Sequence, residues 1–459
     1  MPPQFEGFSP IKKLKVNIEK LAEGFNMTKP SAFDPWKEIE AILETFANNH
    51  RPDSDLDNDT FSFATPSARG YNWKGRDCDD GDARIYPGRS VNPFTNMAGF
   101  DYNCNGINGK NPKTGNTYKQ DMCGNSGQIG FAVVGDSVGA HFELPEPWFN
   151  GSQWTNDTFD DFVPRALDEF DRPHYSGWSG YMNSTIASYP MRSIYNYLYQ
   201  RNKCNYKDYQ NCGINGASSN DILSYVQDCY RRNQTTDNPT ILIIELVGND
   251  VCPGGTGMTN VSNFETAIVQ LLNYFDTILP NGSHVITVGL ADGQLLYETL
   301  YNKEHPIGRT YEEVYDWLTC LDKNPCIGWL NSNAEVRNYT TQRAQNLTQV
   351  YKNLKASGLS FQNFDWDYMD FPADQIFDAW TEEGEDPVLL IEPVDGFHPS
   401  QIFHALMADW YWQQINATHP DWLGSVNPYN SQIEQIFGNQ GGYGPNNFTV
   451  AELMEKINL

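Results

Sequence analysis

Two short stretches hold residues able to do chemistry together. Gly135-Asp136-Ser137 closes the apolar run Gln128–Val134, and Asp395-Gly396-Phe397-His398-Pro399 lies far along the chain, before a helical pattern over Gln401–Ile415. A serine hydroxyl is a poor nucleophile at neutral pH. A histidine can take its proton, and a carboxylate behind the ring fixes the tautomer. Ser137, His398 and Asp395 are therefore the candidate nucleophile, base and orienting acid of an acyl transfer. A serine where a strand turns into a helix points its hydroxyl out of the sheet's edge, and the helix amides and dipole favour a developing oxyanion there. Pro399 suits the first turn of the next helix, which leaves His398 at the lip of its loop. Taken singly, each stretch also reads as an ordinary turn.

A second group of residues suits a cation. Asp53-x-Asp55-x-Asp57 and Asp77-x-Asp79-Asp80-x-Asp82 place carboxylates two residues apart, and Asp101-x-Asn103-x-Asn105-Gly106 repeats the spacing with amides. In a loop, that spacing turns oxygens inward onto one hard cation, and glycine allows the sharp turn. An EF-hand is excluded, because no glutamate stands at the twelfth position. The expected calcium ligands are Asp77, Asp79, Asp82, Asp101, Asn103 and Asn105, with Asp53, Asp55 and Asp57 as a second set. A solvated acidic linker is the alternative. Serine chemistry needs no metal, so the ion's expected role is structural.

The elements that must position these residues follow from pattern. Gln128–Val134, Thr240–Val247 and His284–Leu290 are short, rich in β-branched residues, and end in polar motifs, as buried strands do. Helical patterns occupy Asp221–Arg231, Phe264–Leu279, Thr341–Lys355 and Gln401–Ile415. The alternation predicts an α/β fold, a three-layer α/β/α arrangement with a parallel sheet covered on both faces. Ligands of such sheets bind beyond the carboxyl ends of the strands, where each polar motif falls. We divide the chain into lead-in helices over 1–50 (around Ile11–Leu21 and Pro35–Phe46), an acidic cysteine-bearing segment over 51–126, a hydrolase domain over 127–425, and a C-terminal extension over 426–459.

The 459 residues carry a formal charge of −27. Such a surface repels nucleic acid and anionic membranes unless cations intervene. Nine cysteines form no paired C-x-x-C unit, which argues against structural zinc, and their odd number leaves a free thiol or a bond to another chain. N-x-S/T sequons begin at Asn26, Asn58, Asn150, Asn156, Asn183, Asn233, Asn260, Asn281, Asn338, Asn346, Asn416 and Asn447. With the cysteines, they point to the secretory pathway, where disulfides persist. No stretch is long and apolar enough to span a membrane. Met1–Lys20 is polar and charged, so the chain reads as one whose leader has been removed.

Four blocks in order resemble the GDSL/SGNH hydrolases: Gly135-Asp136-Ser137, then Gly216 within Asn215-Gly216-Ala217-Ser218-Ser219, then Gly248-Asn249-Asp250, then Asp395-x-x-His398. The resemblance implies the flavodoxin-like sheet of that family, and an oxyanion hole from the Ser137 amide, the Gly216 amide and the Asn249 side chain. Longer stretches, among them Gly135–Phe142, Asn205–Asn211, Pro280–Ile286, Ile391–Pro399 and Phe437–Gly442, are similar to the large subunit of one branch, the acyloxyacyl hydrolases. That branch removes secondary acyl chains from the lipid A of bacterial lipopolysaccharide. Its disulfide-braced DCDDGD…YPG…DYNCNG arrangement also occurs here. In that branch a saposin-like small subunit is disulfide-linked to the hydrolase, and no such domain is visible in this sequence. The resemblance makes Cys320 or Cys326 the first suspect for a bond to a missing chain. Cys212 and Cys229 flank a helix-sized stretch and are candidates to pair. Two rival readings are an esterase of the same fold acting on phospholipid or carbohydrate esters, and a non-catalytic lipid-binding glycoprotein.

Overall fold

The computed structural model describes residues 50–65, 68–90, 100–182 and 191–442. The expected lead-in helices, the sequons at Asn26, Asn183 and Asn447, and the end of the C-terminal extension lie outside the described residues. Five strands form one parallel sheet: β1 (Gly130–Gly135), β2 (Tyr209–Gly213), β3 (Thr240–Glu245), β4 (Ser283–Val288) and β5 (Phe364–Met369). Their order is β2-β1-β3-β4-β5, the flavodoxin-like order. Phe131–Val134 and Ile241–Ile244 are wholly buried, as strands covered on both faces must be. Helices Ile222–Cys229, Val261–Ile278 and Ala334–Ala356 pack side by side as one layer, and Ile194–Arg201 packs on Gln401–Thr418 as the other.

β1, β3 and β4 lie where apolar content predicts strands. β2 (YQNCG) and β5 (FDWDYM) are the two edges and are not foreshadowed by an apolar run. β2 is nevertheless fully buried, because the acidic segment lies along its open side. The Gly75 amide donates to Tyr209 O at 2.9 Å, and the Asn211 amide donates to Trp73 O at 2.7 Å. A sheet edge is thereby closed by hydrogen bonds rather than by apolar bulk. Gly75 is required there, since a β-carbon would stand 1.7 Å from Lys207 O.

Four disulfides join Cys78 to Cys104, Cys123 to Cys204, Cys212 to Cys229 and Cys252 to Cys326. The Cys212–Cys229 pair matches expectation, and Cys326 is removed as a suspect for the odd thiol. That thiol is Cys320, exposed at the end of helix Tyr311–Cys320. Among the described residues no helix is long and apolar enough to cross a membrane. The described sequon asparagines Asn58, Asn156, Asn233, Asn260, Asn281, Asn338, Asn346 and Asn416 are exposed, and Asn150 is half-buried.

Candidate active site

β1 pairs with β2 on one side and β3 on the other, so the chain reverses its direction of sheet building at β1. A crevice opens at the carboxyl ends of strands at such a point. Gly135 is in register with Gly213 and Glu245, and Ser137 follows directly, opening the four-residue helix Ser137–Ala140. Asp136 caps that helix. Its Oδ1 accepts from the Val138 amide at 2.9 Å, and its Oδ2 accepts from the Val247 amide at 3.0 Å. One carboxylate thus ties the nucleophile turn to the loop after β3. Burial pushes the Asp136 carboxyl up to about 6 against those two hydrogen bonds. Glu245 lies beneath, wholly buried, and its carboxyl is raised well above the ordinary range by burial and by Asp136.

The structure brings Ser137, His398 and Asp395 together across 261 residues of sequence. Ser137 Oγ lies 2.7 Å from His398 Nε2, and His398 Nδ1 lies 2.5 Å from Asp395 Oδ2. With the ring protonated at Nδ1, Nε2 is left to accept the serine proton, the arrangement general-base catalysis requires. Asp395 Oδ1 accepts from the amides of Phe397 at 2.8 Å and His398 at 3.0 Å. Burial alone would raise the Asp395 carboxyl, but the His398 ring and these hydrogen bonds hold it below its ordinary value. Ser137 and His398 are 7% and 8% exposed, buried yet open to a substrate from one side.

The residues of the expected oxyanion hole flank the serine on either side. Gly216 lies in the loop after β2 with φ +81, a left-handed backbone that favours glycine. Asn249 lies in the loop after β3, and its Nδ2 donates to Ala217 O at 3.0 Å. Asp250 binds the Ser219 amide at 3.0 Å and hydroxyl at 2.6 Å, so the two loops are locked to each other. The Ser137 amide opens its helix, where amides lack intrahelical partners.

An apolar pocket is walled in part by Val138, which follows Ser137, and by Phe397 and Pro399, which flank His398. Val138, Val247, Leu296, Trp329, Phe371, Phe377, Leu390, Phe397 and Phe403 are among its walls, and Asp292 is its one charged lining residue. Asp292 Oδ1 is occupied by the Thr341 hydroxyl at 2.7 Å and the Gln294 amide at 3.1 Å. The Cys252–Cys326 disulfide pins the loop after β3 to the segment bearing Trp329. Apart from Val138, Phe397 and Pro399, these wall residues lie outside the sequence motifs. They share a wall only because strand ends and helices converge.

The acidic segment differs in detail from expectation. Asp57, Asp59, Asp77 and Asp80 each hold a buried carboxylate oxygen without a hydrogen-bond partner, as does Asn103 at Oδ1. Oxygens of Asp55, Asp57 and Asp59 lie within 4.8 Å of one another. Burial raises Asp59 to about 8, Asp77 to about 7 and Asp80 to about 6. Carboxylates buried this way are costly even with Lys74 and Arg231 acting on Asp59, and the donor set fits a hard cation. Asp59 and Asp80 were not among the expected ligands, although Asp59 continues the alternate spacing of Asp53, Asp55 and Asp57, and Asp80 stands two residues before Asp82. Several expected ligands have other partners instead. Asp101 Oδ1 binds Lys119 Nζ at 2.7 Å, the Asn105 side chain binds Cys204 O and the Ile107 amide, and Asp82 pairs with Arg84. Asp53 and Asp79 are exposed.

Comparison with known proteins agrees with this geometry. The model of the GDSL-like lipase/acylhydrolase family matches residues 131–411. The acyloxyacyl hydrolase of Homo sapiens is 41% identical over 401 residues, covering 85% of this chain and 69% of the human protein. The chain belongs to the acyloxyacyl hydrolases, within the GDSL-like lipase/acylhydrolase family. This acyloxyacyl hydrolase relative is therefore an ester hydrolase. The acyloxyacyl hydrolases of Mus musculus and Oryctolagus cuniculus match at 41% and 40% identity, each over 69% of its length. Among solved structures, an acetylxylan esterase from Geobacillus stearothermophilus aligns at 12% identity with a TM-score of 0.31, over 63% of this chain and 96% of its own.

Proposed function

We propose that this ester hydrolase removes secondary, acyloxyacyl-linked fatty acyl chains from the lipid A of bacterial lipopolysaccharide. The observation that carries the reading is the apolar pocket walled in part by Val138 and Phe397, where a fatty acyl chain leaves water. A sugar ester would instead need polar groups converging on that space. The identity with acyloxyacyl hydrolases supports the finer substrate assignment.

His398 takes the Ser137 proton, and Oγ attacks the ester carbonyl. The resulting oxyanion rests on the amides of Ser137 and Gly216 and on the Asn249 side chain. Each such donor is worth about 3–4 kcal/mol in the transition state. The C–O bond to the alcohol then breaks, and His398 protonates the leaving oxygen. Water, deprotonated by His398, attacks the acyl-enzyme and releases the fatty acid.

Calcium held by Asp57, Asp59, Asp77 and Asp80 would brace the segment that closes the β2 edge. The four disulfides and the exposed sequon asparagines support a secreted or lumenal glycoprotein. Exposed Cys320 would take the bond to a saposin-like small subunit.

The deciding experiment is fatty-acid release from purified lipopolysaccharide by wild type and Ser137→Ala. Release of secondary acyl chains by wild type alone supports the reading. Hydrolysis of simple esters without any release from lipopolysaccharide would sink the substrate assignment.

A further inference from the structure

We propose that Glu392 is a positioning residue, the buried acid that fixes the turn carrying Asp395 and so aligns the Asp395–His398 pair. The inference rests on the acyl-transfer reading above.

Glu392 is 2% exposed, and its Oε2 accepts from the amides of Val394 at 2.9 Å and Asp395 at 2.8 Å. Its own amide donates to His398 O at 2.8 Å, and its carbonyl accepts from the Gly396 amide at 3.0 Å. The loop's carbonyls are taken by a separate element. Tyr311 hydroxyl donates to Pro393 O at 2.6 Å, Tyr315 hydroxyl donates to Gly396 O at 2.8 Å, and His305 Nε2 lies 2.6 Å from Val394 O. The Ile307 amide donates to His305 Nδ1 at 3.2 Å, so the proton of that ring sits on Nε2. Buried backbone groups must be paired, and between Val394 and Gly396 every amide goes to Glu392.

Gly396 completes the turn. Its φ is +62, and a β-carbon there would stand 2.5 Å from the Tyr315 hydroxyl. The Asp395 carboxylate is thus presented to His398 by a loop with little freedom of its own.

Glu392 also avoids competing for the imidazole's charge. Burial first, and the adjacent Asp395 second, push its carboxyl up to about 10. Asp395 and Glu143 are the charged groups that act on it, and both disfavour ionisation. Its Oε1 is buried without a partner, a place where a full negative charge would go unsolvated. A neutral acid here supplies geometry without a second charge behind His398.

The test uses p-nitrophenyl butyrate hydrolysis by the full chain, with Ser137→Ala alongside. Glu392→Gln keeps a carbonyl acceptor and should hold kcat within roughly threefold, with the acid limb of the pH–rate profile unmoved. Glu392→Leu should lose about 100-fold in kcat with little change in KM, and should lose the downfield proton resonance of the His398 Nδ1–H. Should Glu392→Leu fail to fold, Glu392→Asp, whose shorter arm draws the acceptor away from both amides, must show the same split. A folded Glu392→Leu or Glu392→Asp with full kcat and the resonance intact overturns the inference. A Glu392→Gln profile displaced toward lower pH overturns it too, since only a charged Glu392 predicts that. Activity surviving in Ser137→Ala would instead overturn the acyl-transfer reading itself.

Discussion

Asp395→Asn should be far more damaging than its isosteric shape suggests. The carboxylate has two distinct faces: Oδ2 holds the His398 ring proton at 2.5 Å, and Oδ1 accepts from two backbone amides at 2.8 and 3.0 Å. An asparagine must place an NH2 at one of them. Turning it toward the amides sets donors against donors and leaves two buried N–H groups unpaired, at about 1–3 kcal/mol each. Turning it toward His398 costs one such clash, which the ring escapes by moving its proton to Nε2. The second arrangement wins, and in it Nε2 no longer accepts the Ser137 proton. The expected loss is about 10⁴-fold in kcat, or about 5.5 kcal/mol of transition-state stabilisation. Steady-state hydrolysis of p-nitrophenyl butyrate measures it, with thermal denaturation to show that the fold survives. A folded Asp395→Asn enzyme within tenfold of wild type would refute the argument that this loop imposes the tautomer.

Five further outcomes are expected. A β-carbon on Gly293 would come within 2.2 Å of the Trp329 ring. Gly293→Ala should therefore displace the pocket wall and cut kcat/KM for long acyl esters about tenfold relative to butyrate; an unchanged chain-length profile would remove Trp329 from the acyl site. The Cys252–Cys326 bridge closes a separation of 74 residues, so replacing both cysteines with serine should cost about 4 kcal/mol, read by urea denaturation. Cys320→Ser should cost nothing measurable in the isolated chain. His404 is buried, and that burial, with the His398 charge, lowers its pKa from 6.5 to about 3. Its contribution to stability is complete above pH 6.5 and lost as pH falls, because the unfolded chain binds the proton the folded one refuses. Relative to wild type, His404→Gln should thus recover about 2 kcal/mol between pH 6.5 and 4.5, which paired melts at the two pH values would show. Chelation should lower the melting temperature, by an amount equivalent to about 2.7 kcal/mol if calcium had stood at a hundred times its Kd. Asp59→Asn should blunt that response, and an identical melt with and without chelator would count against the cation site.

The two sequence motifs held the three residues that the fold brings within hydrogen-bond distance, because strand-to-helix turns and pre-helix loops place side chains by local geometry. Local pattern was also enough for β1, β3 and β4, whose burial on both faces demands continuous apolar runs. It was not enough for β2 and β5. Edge strands meet a neighbour on one side only, so their residues answer to whatever covers them. For β2, that cover is the Trp73–Gly75 stretch.

The acidic segment shows the same division. Alternate spacing drew attention to the acidic segment, yet Asp101 pairs with Lys119 and Asn105 with the chain near Cys204. Asp59 and Asp80 share that spacing, but which of the carboxylates end buried depends on how the loop turns, and spacing does not encode that. Likewise, Cys326 pairs with Cys252 across 74 residues, which leaves Cys320 over.

By itself, then, the sequence determined the candidate triad, the parallel sheet that carries it and the family to which the chain belongs. The tertiary structure decided which carboxylates stay buried, which walls line the pocket and what holds Asp395 still. Those depend on distances between groups far apart in the chain, and such distances are set only when the core closes and each buried polar group must find a partner.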